Sequence, residues 1–459
     1  MADLCFSKKS ELPVSANEAF AWHARAGAID RLIPPWERVQ VTKPSNGIAS
    51  GSRVELVKWL GPLPLRWIAE HEDYEAGHQF RDIQVSGPFK KWEHTHRFEG
   101  IDQQRSELLD EIIYEIPGGP FGRTLGGNYI RSTLETMFQY RHQRTVADLN
   151  THMKHKDQGT MHIAITGASG LVGKELTPLL TTGGHEVSRL VRRTPNEGEI
   201  RWDPQASTFD ASALDGVDAV VHLAGKNIAS NRWNAKVKAE IRDSRVGPTR
   251  ALCEGLARMQ NPPKTLVCAS AIGFYGDRGD QTLNESAAAG EGYLPEVCQQ
   301  WEAATQPASE AGIRVVNLRF GVILSPKDGA LKKMLLPFQM GGGGILGSGK
   351  QYMSWIAIDD AAGAVLHAIM TDDLQGPVNT VAPDSCTNHT FTKTLGRVLS
   401  RPTILPMPAF AARLVMGEMA DDLLLASTRV EPQRLLETGY EFRQPTLEDA
   451  LRHLLGRPK

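Results

Sequence analysis

The 459-residue chain lacks most of the features that would single out a partner by charge, redox chemistry or membrane affinity. Charge of one sign is missing: 51 lysines and arginines stand against 53 aspartates and glutamates, so no broad field draws in nucleic acid or an anionic membrane. Cysteine is scarce. Cys5, Cys253, Cys268, Cys298 and Cys386 form no CxxC pair, which leaves no disulfide or zinc framework and suits a reducing compartment. No apolar run approaches the roughly 20 residues a membrane helix needs, and "MADLCFSKKSELPVS" lacks the basic-then-apolar pattern of an export signal. The expectation is a cytoplasmic protein that works on small molecules, with no nucleic-acid partner and no membrane span. At about 100–200 residues per domain, the length asks for two or three domains.

"THMKHKDQGTM" is polar, poor in apolar residues and broken by Gly159, the composition of an exposed connection. Residues 151–160 are therefore read as a linker, with one domain over 1–150 and the rest behind it. In the first domain Ser15 and Glu18 form a capping box that starts a helix through Phe20 and Trp22. "KWEHTHRFE" alternates Trp92, His94, His96 and Phe98 with charged or polar residues, the period of a strand covered on one face. "SRVELVKWL" is a second strand. The proline- and glycine-rich "EIPGGPFGRTLGG" reads as a turn into a last long helix, on which Ile130, Leu134, Met137, Phe138, Arg141, Thr145 and Leu149 keep helical spacing. A short capped helix, antiparallel strands and a long final helix give an α+β order.

That order resembles the START-like, helix-grip superfamily, the SRPBCC or polyketide cyclase and lipid-transport group. The resemblance implies an apolar ligand held between the curved sheet and the long helix, with Trp92, His94, His96 and Phe98 facing Ile130, Leu134 and Phe138. His94 and His96 share a face, but no third ligand stands at a suitable spacing, so they are read as lining or core residues and no metal site is expected.

Beyond the linker, "HIAIT" supplies a strand, Gly167, Gly170 and Gly173 follow in GxxGxxG spacing, and "LVGKELTPLL" continues as a helix. The first glycine permits a tight turn. The second admits a pyrophosphate to backbone N–H groups, and the third lets the helix pack with its positive end toward the phosphates. Gly167, Ser169, Gly170, Leu171 and Val172 are the expected dinucleotide cradle. Pro178 breaks the local rule inside that helix. The next strand, "HEVSRLVRR", ends on Arg192 and Arg193, where an NAD site would carry an acidic residue for the ribose hydroxyl. Two guanidiniums there suit a 2′-phosphate, hence NADP. "DAVVHLAG", "KTLVCASAIGFYG" and "IRVVNLRFGVIL" are continuous apolar runs of buried parallel strands, and their carboxyl ends put Leu223, Ala224, Gly225, Ser270 and Val322 at the ligand crevice. The fold expected is a doubly wound α/β Rossmann domain over 161–325 with a small substrate-side and C-terminal lobe over 326–459, some Rossmann elements being shared between the two.

"TGASGLVG", "HLAG", "SAIGFYG", "LRFGVILS" and "SWIAIDDAA" together resemble an extended short-chain dehydrogenase/reductase. "WDP", "LAGKNI", "CQQWEAA", "GSGKQYMSWI" and "PQRLLETGYEF" are similar to its atypical, epimerase-like oxidoreductase branch. The resemblance implies an NADP-binding Rossmann domain and a smaller lobe that closes over a small-molecule substrate. It also implies a Tyr-x-x-x-Lys pair, from which this chain departs: Val297 stands four residues after Tyr293, then Cys298, and no lysine is in register. Ser270 lies where the family's active-site serine belongs. Tyr293 is the candidate acid/base or a packing aromatic, and Asp359 and Asp360 are expected to cap a helix. Two functions follow: an NADP-dependent oxidoreductase or epimerase-like enzyme on a small, lipophilic carbonyl or alcohol, or an NADP(H)-binding sensor or carrier with little turnover.

Overall fold

The computed structural model describes residues 3–44, 47–206, 209 and 211–457, which divide into two compact units, one built on residues 1–159 and the other on most of the remainder.

The N-terminal unit opens with β1 (Leu4–Leu12), α1 (Ala16–Ala24) and α2 (Ala28–Leu32). Six more strands follow: β2 (Val39–Lys43), β3 (Arg53–Leu60), β4 (Leu63–Glu75), β5 (Gln79–Ser86), β6 (Lys91–Gly100) and β7 (Ser106–Glu115). They form an antiparallel sheet in the order β1-β7-β6-β5-β4-β3-β2, closed by the long helix α3 (Gly119–Lys154). The Ser15 cap is present, its Oγ accepting from Glu18 N at 3.4 Å. Alternation on β6 and β7 drives one face inward, with Trp92, Phe98, Leu108 and Ile112 buried. Leu134, Phe138 and Leu149 of α3 meet that face in two apolar clusters, one around Phe20, Phe80 and Phe98, the other around Phe6, Trp92 and Tyr114. Within this unit Arg31 of α2 grips Asp148 of α3 through two 2.7 Å bonds, both side chains fully buried.

Helix α3 is longer than its apolar spacing suggests. Gly118 takes a left-handed φ of 85° and a proline occupies the first turn, where a missing N–H costs nothing. The segment read as a turn is therefore mostly helix, and α3 runs through Lys154 into the stretch read as a linker.

The second unit is a seven-stranded, wholly parallel sheet: β8 (His162–Thr166), β9 (Glu186–Val191), β10 (Glu199–Arg201), β11 (Ala219–His222), β12 (Thr265–Ala271), β13 (Arg314–Phe320) and β14 (Gly376–Thr380). Its order, β10-β9-β8-β11-β12-β13-β14, reverses direction between β8 and β11, the arrangement of a Rossmann-like sheet. The apolar runs become strands buried on both faces, and α4 (Leu171–Thr182) follows β8 and continues through Pro178. Two further helices matter below, α5 (Tyr293–Ala303) and α6 (Ile358–Met370). Asp359 and Asp360 do not cap α6: its N-cap, Ala357, has no side-chain bond. Asp360 instead accepts from Arg443 N at 2.7 Å and Gln444 N at 2.9 Å, and Asp359 bonds His453 at 2.8 Å. A buried carboxylate satisfied by distant amides holds the C-terminal segment onto the core.

Candidate functional site

The reversal between β8 and β11 opens a crevice at their carboxyl ends, and the loop after β8 is shaped to lie in it. Gly167 has φ +71°, and a Cβ there would stand 2.8 Å from the Leu223 carbonyl carbon and 2.9 Å from Ala224 N. Only glycine lets the loop rest on the end of β11. A Cβ at Gly173 would meet Gly167 O at 2.5 Å, so this glycine seats α4 against its own loop. Gly170 is different: it and Ser169 are exposed, and a Cβ on Gly170 would meet only Gly167 O, at 3.1 Å. Leu171, Val172 and Val322 pack against one apolar cluster, which brings the loop and the end of β13 together. Leu223 N donates to Thr166 O at 3.2 Å and Ala224 N to Thr166 Oγ1 at 3.3 Å, fixing the β11 end, while Gly225 lies beside the Arg245 guanidinium. The chain thus supplies the tight turn, close backbone approach and helix start that a dinucleotide's phosphates need.

Arg192 and Arg193 follow β9 and are both exposed, yet they are not equivalent. Arg193 is committed to Glu199 at 2.7 Å and to Thr194 O at 2.9 Å. Arg192 has no side-chain partner among the described residues, so its guanidinium is the one available to an incoming anion.

The structure does not bring Ser270 and Tyr293 together. Ser270, at the end of β12, is buried and donates to Glu302 Oε1 at 2.6 Å. Glu302 is also held by Arg319 through bonds of 2.8 and 2.7 Å, and Arg319 Nη1 donates to the Tyr275 hydroxyl at 3.0 Å. Tyr275 in turn lies 2.7 Å from Asn379 Oδ1. Tyr293 starts α5, whereas Glu302 is near its other end, about 13 Å along the axis at 1.5 Å per residue. The Tyr293 hydroxyl donates to Lys238 O at 2.7 Å, its ring beneath the Lys238 ammonium. Burial pushes its pKa up, against the pull of Arg245 and Arg242. Cys298 is buried and its thiol pushed up to about 12, an inert group. Sequence reasoning missed Glu302, Arg319 and Asn379 as a unit; the signal was an arginine inside the apolar run "NLRFG".

A model of the NAD dependent epimerase/dehydratase family matches residues 163–381. An epimerase family protein of Mycobacterium tuberculosis is 44% identical over 297 residues, 64% of this chain and 98% of that protein. The chain belongs to the NAD dependent epimerase/dehydratase family. Human epimerase family protein SDR39U1 is 37% identical over 299 residues, 64% of this epimerase-family chain and all of the human one. Its crystal structure (isoform 2), solved with NADPH, matches at a TM-score of 0.60 with 36% identity over 64% of this chain and 99% of that one. A crystal structure of the nucleoside-diphosphate sugar epimerase from Corynebacterium glutamicum matches at 0.81 with 35% identity, over 98% of this chain and 90% of that one. Residues 12–139 match a polyketide cyclase/dehydrase and lipid transport model, and 407–454 a domain of unknown function.

The epimerase-family chain carries a second constellation in its N-terminal unit. The residues expected to line an apolar cavity are packed on one another: Trp92, Phe98, Leu134 and Phe138 are buried, and His94 meets Phe138 edge-on at 5.2 Å. An open cavity of about 540 Å³ lies toward β1, lined by Lys8, Ser10, Glu11, His142 and Val146 among others. The expectation that His94 and His96 lack a third ligand is corrected, since Asp82 on β5 brings a carboxylate oxygen to both. Asp110 on β7 and His142 on α3 complete the cluster. An aspartate at an inward position, between Leu108 and Ile112, was the signal in the sequence. No helix among the described residues is long and apolar enough to cross a membrane.

Proposed function

We propose that the chain is an NADP(H)-dependent oxidoreductase of the epimerase type acting on a small, lipophilic carbonyl or alcohol, in the cytoplasm. The observation that carries the cofactor choice is the exposed, uncommitted guanidinium of Arg192 beyond β9. A cation there suits a ribose 2′-phosphate and an acidic residue would repel it. When bound, the nicotinamide supplies or accepts hydride. Gly170 and the start of α4 would hold the pyrophosphate, Gly167 and Leu223–Gly225 would shape the floor, and Arg192 would clamp the 2′-phosphate. Tyr293 is the proposed proton donor, released from Lys238 O when substrate arrives. Ser270 is proposed to position the Glu302–Arg319 pair.

The experiment is calorimetric titration of NADPH and NADH. Arg192→Ala should weaken NADPH about 10- to 100-fold, the equivalent of one charged hydrogen bond at roughly 1.5–3 kcal/mol, and leave NADH unchanged. Arg193→Ala should do less, because Glu199 already occupies that side chain. Equal affinities for the two cofactors in the parent protein would end the assignment. The sensor or carrier reading is favoured by one observation, that the hydroxyls of Ser270 and Tyr293 are both engaged within the protein. Absence of turnover across a carbonyl panel, with tight NADPH binding, would select it. For the N-terminal unit we propose a small ligand in the cavity beside α3, where lysine, serine and glutamate mixed with valine suit an apolar body with a polar end.

A further inference from the structure

Three neighbouring strands of the N-terminal unit deliver polar side chains to one spot on the inner sheet face. Register pairs Asp82 of β5 with His94 of β6, and His96 of β6 with Asp110 of β7. The ring nitrogens sort into two sets. Asp110 Oδ1 lies 3.1 Å from His94 Nε2 and 2.6 Å from His96 Nδ1. Asp82 Oδ1 lies 3.6 Å from His94 Nδ1 and 3.3 Å from His96 Nε2. Each imidazole thus turns one ring nitrogen toward Asp110 and the other toward Asp82. One potential ligand atom from each of Asp82, His94 and His96 lies within 4.8 Å of the other two, close enough to share a cation.

We propose that Asp82 Oδ1, His94 Nδ1 and His96 Nε2 bind one divalent first-row transition ion of the zinc type. Ligands of a tetrahedral zinc at about 2.1 Å stand roughly 3.4 Å apart, matching the spacings of Asp82 to the two rings. Asp110 is the outer carboxylate that orients both rings, and His142 Nε2 holds its other oxygen at 2.8 Å. Asp82 keeps 20% of its side chain exposed, which gives the ion an entry and leaves a fourth position for water. The competing occupant is a proton on an imidazole. Burial lowers the His96 pKa, yet Asp110 and Asp82 outweigh it and raise it to about 9.

The test uses the full-length chain, stripped with chelator and titrated with zinc chloride by calorimetry and with cobalt chloride by visible absorption. One equivalent should bind, with a cobalt spectrum typical of a four-coordinate nitrogen and oxygen site. Asp82→Asn, the mildest change because that residue is partly exposed, should weaken binding at least tenfold, and Asp110→Asn about 10- to 100-fold. Histidine ring nitrogen NMR reads the site independently of activity: the His94 Nδ1 and His96 Nε2 resonances should shift on adding zinc. Absence of stoichiometric binding, binding indifferent to Asp82→Asn, or ring nitrogens that stay doubly protonated and unmoved by zinc would each overturn the proposal.

Discussion

Replacing Gly167 by alanine separates what the glycine loop does for the fold from what it does for a ligand. Backbone at φ +71° costs an L-residue roughly 1–2 kcal/mol relative to glycine. The new Cβ would also lie 2.8–2.9 Å from the Leu223 and Ala224 backbone, which is strand end rather than movable side chain. Overpacking of that kind costs typically 1–3 kcal/mol, so the total is roughly 2–5 kcal/mol. Gly170→Ala is the control: its φ is not left-handed and its Cβ meets only Gly167 O, at 3.1 Å, for roughly 0.5 kcal/mol, the scale of a surface change. Because the chain has two units, backbone amide exchange over 162–166 and 219–224 is a better readout than a single melting curve. Gly167→Ala should lose protection there. Gly170→Ala should keep it and weaken NADPH at least tenfold. Unchanged protection and NADPH affinity in Gly167→Ala would refute the argument that the loop needs glycine to lie on β11.

Three further outcomes are expected. Asp148→Asn removes the charge opposite Arg31 in a buried pair and should cost about 3–5 kcal/mol in urea unfolding of the N-terminal unit; a loss below about 1 kcal/mol contradicts the pair's burial. His222, enclosed between Thr166 and Thr249, has its pKa lowered by burial to about 4, so below the unfolded value of 6.5 the unfolded chain binds the extra proton. Stability should therefore fall by about 3 kcal/mol as pH drops from about 6.5 to 4, and His222→Gln should flatten that share of the slope. Tyr293→Phe should lower turnover at least about 100-fold with NADPH affinity intact if its hydroxyl transfers the proton, and unchanged turnover dismisses the role.

The Rossmann half was legible because its signals are local. Apolar runs announce strands buried on both faces, and a glycine triplet between a strand and a helix needs no distant residue to be recognised. What escaped depends on register and packing. Nothing in "QFRDIQVS" says that Asp82 will lie opposite His94, since hydrogen-bonded pairing between antiparallel strands is set by turns and by the inner face, not by either strand alone. Glu302 and Arg319 meet because α5, between the paired strands β12 and β13 in the chain, carries Glu302 back to their carboxyl ends, and Ser270 joins them only in three dimensions. Helix α3 overran its expected start because an αL glycine and a following proline, read as loop punctuation, serve equally well as a helix entry.

The pairing of β1 with β7 has a consequence for how the N-terminal unit is made. Leu4 pairs with Tyr114 and Leu12 with Ser106, so the first strand of this sheet to be made waits for its last before a ladder bond to it forms. Such a closure has high contact order and is slow, and it holds the nascent strand as an unpaired edge until β7 has emerged. Lys8, Lys9 and Glu11 along that strand give it the charge that keeps a waiting edge from joining a neighbouring chain.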